Sequence, residues 1–158
     1  MAIRSVREND FVECIAVTHR AWPEFKEREA IYHLLTRFFA DTSFVSEEGG
    51  AIRGFLLGFI SQVDRRDAYI HLIVTDPASQ RRGVARGLYQ EFFRKARALG
   101  CQSVRLTVSP DNEASLAFHR RLGFRPEIRG ESVWVGSVLA QKDFNGPGNA
   151  MVPFMCIL

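Results

Sequence analysis

The residues with the clearest chemistry lie between an apolar run and a long amphipathic pattern that opens at Gly83. The first N–H groups of a helix lack partners within the helix, and the helix dipole is positive there, so a phosphate binds well at such a position. Gly83 also lets the backbone approach an anion without a Cβ in the way. A pyrophosphate suits this segment, in which Arg81 and Arg82 add cationic charge and Ala85 keeps the next contact small.

The motif in this segment is Q-x-x-G-x-A. It is not a P-loop, because no Gly-Lys-Ser/Thr follows, and it is not G-x-G-x-x-G either. On this motif alone, an arginine-rich helix start that binds nothing is the alternative.

A second predicted helix carries a polar stripe. Asn112, Ser115 and His119 are spaced i, i+3 and i+7, which places them on one face. The stripe predicted to face the core is Ala114, Phe118 and Leu122. A row of Asn, Ser and His opposite a core face could line a ligand groove, and an ordinary solvated face is the alternative.

These two motifs together resemble the GNAT superfamily of acyl-CoA N-acyltransferases. Val74–Leu88 is similar to the family's R/Q-x-x-G-x-G/A loop, and Asn112–Phe124 to its N-x-x-(A/S)-x-x-(F/L)-(Y/H)-x-x-L-G-F helix. Two independent motifs in the expected order are more specific than either alone, and the order of predicted elements over residues 1–128 also fits. The short run Asp143–Gly148 resembles a C-terminal loop of one bacterial subgroup.

The resemblance implies an α/β fold of one domain, a mixed twisted sheet of about six or seven strands flanked by about four helices. It implies that acetyl-CoA lies where the sheet opens between Ala68–Val74 and Val104–Val108. Backbone groups of the first strand would bind pantetheine and polarise the thioester carbonyl. It implies that the pyrophosphate is held by Gln80, Arg81, Arg82, Gly83, Val84, Ala85 and Arg86. The other cofactor contacts implied are Leu72, Ile73, Val74, Asn112, Ser115 and Phe118.

The implied reaction is direct attack of a neutral primary amine on the thioester. A protonated amine has no lone pair, so a base or a water chain must remove its proton, and His71 is the preferred base. Where much of the family has a Tyr that serves the leaving thiolate, this chain has His119, whose neutral imidazole can donate one N–H. The other candidates for the base are Tyr69, Asp64, Asp67, Glu24 and His33.

Composition sets the broad class. The 158 residues suit one domain over 1–158, and the net charge of +3 is mild. The longest apolar run, Gly54–Ile60, is far shorter than the roughly 20 residues of a membrane span, and the first residues lack the apolar centre of a signal peptide, so a cytoplasmic protein is expected. We expect no metal, and buried free thiols at Cys14, Cys101 and Cys156.

Hydrophobic periodicity predicts the element order β-αα-βββ-α-β-α-(β)-β. Asp10 and Glu13 resemble a capping box at the first helix, which ends at Pro23. Gly130–Gly136 could be strand or loop, Asp143–Asn149 is turn-rich, and Val152–Leu158 is predicted as the last strand.

The function predicted is an N-acetyltransferase that uses acetyl-CoA and acts on the primary amine of a small molecule or a peptide. A non-catalytic acyl-CoA-binding or sensing domain is the first alternative, because no base is obvious and His119 replaces Tyr. Arginine clusters make a nucleic-acid-binding module the weaker alternative, and neither nucleic acid nor a membrane is expected as a partner. The sequence leaves the acceptor and the oligomeric state open, a homodimer included.

Overall fold

The computed structural model describes residues 1–158, which divide into a first unit over residues 1–101 and a second unit over residues 102–158. The predicted α/β class is confirmed, with four α-helices. None of these helices combines the length and the apolar character that crossing a membrane requires. All three cysteines are buried free thiols, as predicted.

The first unit alternates strands and helices. Its strands are β1 (Ala2–Ser5), β2 (Phe44–Glu48), β3 (Ala51–Ile60) and β4 (Asp67–Thr75), and its helices are α1 (Phe11–Ala21), α2 (Glu29–Phe38) and α3 (Val84–Ala98). The four strands pair in sequence order, each antiparallel to the next. The predicted central strand Ala68–Val74 and the long helix that ends before Gly100 are confirmed.

Both faces of this sheet are covered. Phe55 and Leu57 of β3 pack in a buried cluster with Val17 of α1 and Leu35 of α2. On the opposite face α3 lies so close that two β3 glycines are required: a Cβ on Gly58 would stand 2.6 Å from the Phe92 ring, and one on Gly54 would stand 2.7 Å from Val84. Glycine at these positions therefore fixes how closely α3 packs on the sheet.

Two β-bulges interrupt the pairing. Between β2 and β3, Ser46 pairs with Gly54 but Glu47 pairs with Ile52, which leaves one extra residue, 53, on β3. Between β3 and β4, Leu57 pairs with Leu72 but Gly58 pairs with Ile70, which leaves His71 as the extra residue on β4. Bulges re-aim side chains and are frequent near active sites.

The second unit contains β5 (Ser103–Val108), α4 (Glu113–Arg121), β6 (Arg125–Pro126), β7 (Ser132–Val135), β8 (Val138–Gln141) and β9 (Val152–Ile157). Strand β9 lies between β5 and β6 and is antiparallel to both, while β7 and β8 form a separate hairpin. The open prediction for Gly130–Gly136 is resolved as a strand, but its partner β8 was not predicted. Residues 143–149 form turns, in which the Asp143 carboxylate accepts from the Gly148 N–H at 2.7 Å.

The capping box predicted at the start of α1 is wrong. A short 3₁₀ turn, Glu8–Asp10, precedes the helix, so Asp10 already has helical backbone angles. Its carboxylate accepts from the Arg7 N–H at 2.7 Å instead of capping α1. The Glu13 carboxylate accepts from the Ile52 N–H of β3 at 2.8 Å, because a tertiary donor is available to it.

Candidate active site

The segment from β4 to α3 has the geometry of an anion site. Gln80 is extended, Arg81 has a φ of 61°, and Gly83, at the N-cap of α3, has a φ of 80°. Because glycine has no side chain, no cap hydrogen bond satisfies the first N–H groups of α3. A Cβ built on Gly83 would meet nothing within 4 Å, so the approach to this helix start is open.

A buried carboxylate holds this segment in place. Asp76, 5% exposed, accepts from the Ala78 N–H at 3.0 Å and from Nη2 of Arg20 on α1 at 2.8 Å. Burial alone raises the pKa of the Asp76 carboxyl, but the hydrogen bonds from Ala78 and Arg20 outweigh it and lower the pKa. Sequence analysis had missed this anchor. The Asp-Pro dipeptide at the end of β4 was the only local signal for it.

The basic residues of the segment differ in what they contact. Arg82 donates to both carboxylate oxygens of Glu48 on β2, at 2.8 and 2.9 Å, and this hydrogen bonding lowers the pKa of Glu48. Arg53, on the β3 bulge, has its Nε 4.0 Å from the same carboxylate, and that Nε is buried without a hydrogen-bond partner. Arg81 and Arg86 are exposed. One of the three predicted arginines is therefore occupied by an acidic side chain.

His71, the extra residue of the β4 bulge, directly precedes the predicted pantetheine-binding residues 72–74 in the chain. Val74 is buried, and Leu72 packs against the cluster beneath α1 and α2. The partly exposed His71 places its Nε2 2.9 Å from the Glu27 carboxylate, which comes from the loop between α1 and α2. Glu27 was not among the predicted site residues, since a loop acid carries no periodic signal.

Several of the other predicted candidates for the base have contacts of their own. The His33 ring stacks on Phe11 at 4.6 Å, and its Nε2 lies 3.0 Å from the Glu8 carboxylate. Asp64 holds Arg66 within a turn, at 2.8 Å. The Tyr69 ring is tilted against the Phe59 ring, with 5.5 Å between the two ring centroids. Glu24 is exposed.

In α4 the predicted faces are wrong. Leu116 and His119 are the buried residues, whereas Ala114, predicted for the core, is exposed. His119 is 5% exposed, with its ring centroid 5.6 Å from Phe124 and 6.1 Å from Phe154 of β9. These aromatic partners lie outside the helix, so its own periodicity could not reveal them.

The hydrogen bonds of α4 define the state of His119. Asn112, at the N-cap, accepts from the Ser115 N–H at 3.0 Å. The Ser115 carbonyl lies 2.8 Å from Nδ1 of His119, and because a carbonyl only accepts, Nδ1 carries the proton. Burial lowers the pKa of His119, and the backbone hydrogen bond only partly offsets it. The single N–H of the neutral imidazole is thus committed to Ser115, which argues against His119 as a proton donor to sulfur.

Several known proteins are similar to this chain. The N-alpha-acetyltransferase RimI of Mycobacterium tuberculosis is 38% identical over 82 residues, 49% of this chain and 50% of that protein. The L-2,4-diaminobutyric acid acetyltransferase of Nocardia farcinica is 29% identical over 86 residues, 54% of this chain and 45% of that protein. The chain thus spans about half the length of these curated relatives. The solved structure of Ard1 from Thermoplasma volcanium has the same fold, with a TM-score of 0.82, 22% identity, and coverage of 99% of this chain and 97% of that one.

Two further solved structures of this fold contain coenzyme A and acetyl-CoA respectively. Residues 10–124 match the profile described as the "Acetyltransferase (GNAT) family", and the matched range includes both the 80–86 segment and α4. The resemblance inferred from the two motifs is confirmed. The chain belongs to the acetyltransferase (GNAT) family.

Proposed function

We propose that residues 1–158 act as one catalytic domain in the cytoplasm, which transfers the acetyl group of acetyl-CoA to a primary amine. The observation that carries this proposal is the uncapped start of α3 at Gly83. A row of unsatisfied N–H groups with open space before it suits a pyrophosphate. Family membership gives this anion site its chemical meaning.

The residues proposed to hold acetyl-CoA follow from this site. Residues 80–86 bind the pyrophosphate, and backbone groups of residues 72–74 bind the pantetheine arm. In the second unit, Asn112, Ser115 and Phe118 remain the proposed contacts for that arm. Of these, Asn112 and Ser115 already share the hydrogen bond that caps α4, so any contact of theirs with the cofactor adds to a structural role.

The proposed chemistry needs one base and a stabilised leaving group. His71 takes a proton from the ammonium form of the acceptor, whose nitrogen then attacks the acetyl carbon. The C–N bond forms as the C–S bond breaks, and the thiolate takes the remaining proton through water. The N–H of His119 already donates to the Ser115 carbonyl. Backbone N–H groups and water, rather than His119, therefore stabilise the leaving thiolate.

The acceptor is proposed as a primary amine of a small amino acid or of a peptide. The named relatives include one enzyme of each kind, a diaminobutyric acid acetyltransferase and an N-alpha-acetyltransferase. The test is thiol release from acetyl-CoA over a panel of diamino acids, polyamines and peptides with free N-termini. Turnover of any one acceptor, with a product heavier by one acetyl group, supports the proposal.

Two results would overturn it. Tight coenzyme A binding without turnover of any amine would favour the sensing domain. Salt-sensitive binding to nucleic acid, with no affinity for coenzyme A, would favour the nucleic-acid module.

A further inference from the structure

Glu27 and His71 form a contact that the reaction, as proposed so far, does not use. The two residues are 44 positions apart, and the Glu27 Oε2 lies 2.9 Å from the His71 Nε2. Both side chains are partly shielded, with 23% and 32% of their surface exposed. The pair therefore ties the loop between α1 and α2 to the bulge of β4.

The contact fixes which nitrogen of His71 carries the proton. An ionised carboxylate only accepts hydrogen bonds, so Nε2 must donate, and the lone pair of the neutral ring lies on Nδ1. Within the structure Nδ1 has no hydrogen-bond partner. His71 is the extra residue of the β4 bulge, and it directly precedes Leu72 in the chain.

We propose that Glu27 is a positioning residue that makes His71 the base of the acetyl transfer. This inference rests on the proposed function. The carboxylate holds the ring with Nδ1 available, and it stabilises the imidazolium that forms when Nδ1 takes one proton from the acceptor ammonium. The amine then forms the C–N bond while the C–S bond breaks, and His71 later returns its proton to solvent. A base oriented by a third group is a recurring arrangement in acyl transfer.

The alternative is that the pair merely anchors the loop. The two roles differ in kinetics. A residue that only anchors the loop between α1 and α2 changes KM, whereas a residue that supports the base changes kcat. They differ also in coupling, since residues that act as one unit do not lose activity additively.

The kinetic test compares Glu27→Gln, Glu27→Asp, His71→Gln and the double variant with Glu29→Gln. Glu29 is an exposed acid in the first turn of α2, so its variant removes the same charge from the neighbourhood. We expect His71→Gln to lower kcat about 10²-fold and Glu27→Gln to lower it about tenfold, with KM for acetyl-CoA unchanged. Glu27→Asp should recover part of the rate. The double variant should be no slower than His71→Gln alone.

A spectroscopic test needs no turnover. Nitrogen-15 NMR of the histidine rings, with His71 assigned by its Gln variant, should show the Nε2–H tautomer in the wild type and a tautomer mixture in Glu27→Ala, whose side chain cannot accept from Nε2. Glu29→Ala should leave the tautomer unchanged.

Each outcome has a defined meaning. Two results with an active wild type would overturn the positioning role while the proposed function stands. In the first, Glu27→Gln keeps the wild-type kcat. In the second, the fold-loss in kcat of the double variant equals the product of the losses of Glu27→Gln and His71→Gln. An unchanged tautomer in Glu27→Ala overturns the positioning role as well. If the wild type acetylates no acceptor, the proposed function fails first and this inference with it.

Discussion

Helices α3 and α4 both begin at a motif from which a ligand site was predicted, but their first turns are completed differently. At α4 the Asn112 side chain accepts from the Ser115 N–H, so the helix satisfies one of its own donors. At α3 the N-cap is Gly83, and no side chain caps the helix. A capped start has already used one of the donors that an anion needs, whereas an uncapped start keeps that donor available. This difference supports the pyrophosphate site proposed at α3.

The second difference lies in how each start is held. The cap of α4 is local, since Asn112 and Ser115 are three positions apart. The approach to α3 is held from outside, by the buried Asp76 and its partner Arg20 on α1, 56 positions away. An uncapped start relies on such remote contacts, because its own first turn contributes no cap. The predictions below test this contrast.

The largest effect is expected at Gly83. Gly83→Glu should lower the affinity for coenzyme A about 10²-fold or more, because it places a negative charge where the pyrophosphate binds. Gly83→Ala is the matched control: its φ of 80° strains any side chain by roughly 1–2 kcal/mol, so both variants should lose similar stability. Calorimetry of coenzyme A binding, beside thermal unfolding, separates the two effects. Equal affinities in the Glu and Ala variants would contradict the anion site.

The second-largest effect is expected at Asp76. Asp76→Asn should lower the free energy of unfolding by about 2 kcal/mol at pH 7. Asn keeps an acceptor for the Ala78 N–H but loses the charge that Arg20 pairs with. The folded-state pKa of Asp76 is lowered, so the stability it contributes is present above its unfolded pKa of about 3.9 and is lost as pH falls through the lower folded value.

Urea unfolding of wild type and Asp76→Asn at pH 7 and in acid measures this effect. The difference in the free energy of unfolding between wild type and Asp76→Asn should be largest at pH 7 and should narrow only in acid. Asp64→Asn, which alters an exposed aspartate paired with Arg66, is the control and should cost less than 1 kcal/mol. A difference that does not narrow in acid would show that the Asp76 charge is not the source of the stability.

How much of the two sites could be predicted depends on how local each feature is. Gly83 and the amphipathic pattern after it are neighbours in sequence, so the start of α3 was predicted correctly. His119 is buried by Phe124 and Phe154, and β9, which holds Phe154, lies far along the chain, so helix periodicity assigned it to the wrong face. The β4 bulge depends on pairing with β3, which alternation within one strand does not encode.

The same distinction explains what was missed entirely. Glu27 lies in a loop without periodicity, and only its contact with His71 gives it meaning. The β7–β8 hairpin turns at Gly136, with a φ of 59°, and its strands are four residues each, too short for a clear alternation. Features made by remote partners or by very short elements were therefore those that the sequence did not reveal.

At the start of α4, Asn112→Ala should lower the free energy of unfolding by about 1 kcal/mol, because the Ser115 N–H loses its acceptor. Asn112→Asp preserves a cap and should keep most of the stability. Chemical unfolding and coenzyme A titration of both variants give the two readouts. If Asn112→Ala keeps full stability yet binds coenzyme A weakly, the role of Asn112 is cofactor contact rather than capping, and the contrast between the helices would weaken.

The smallest effect is expected at Glu48, which competes for the guanidinium of Arg82. Both groups are partly exposed, so their ion pair is weak and is screened by salt. Glu48→Gln should release Arg82 toward the pyrophosphate and should raise the affinity for coenzyme A by up to about fivefold at low salt, with the gain fading as salt is added.

Glu47→Gln is the matched control for this effect. Glu47 neighbours Glu48 on β2 but pairs with Arg4 instead, at 2.8 Å, so its variant removes the same charge without freeing Arg82. A gain shared by both variants would reflect only the general loss of negative charge near the ligand. A gain confined to Glu48→Gln would show that the uncapped helix start is held below its full anion affinity by an acid on the neighbouring strand.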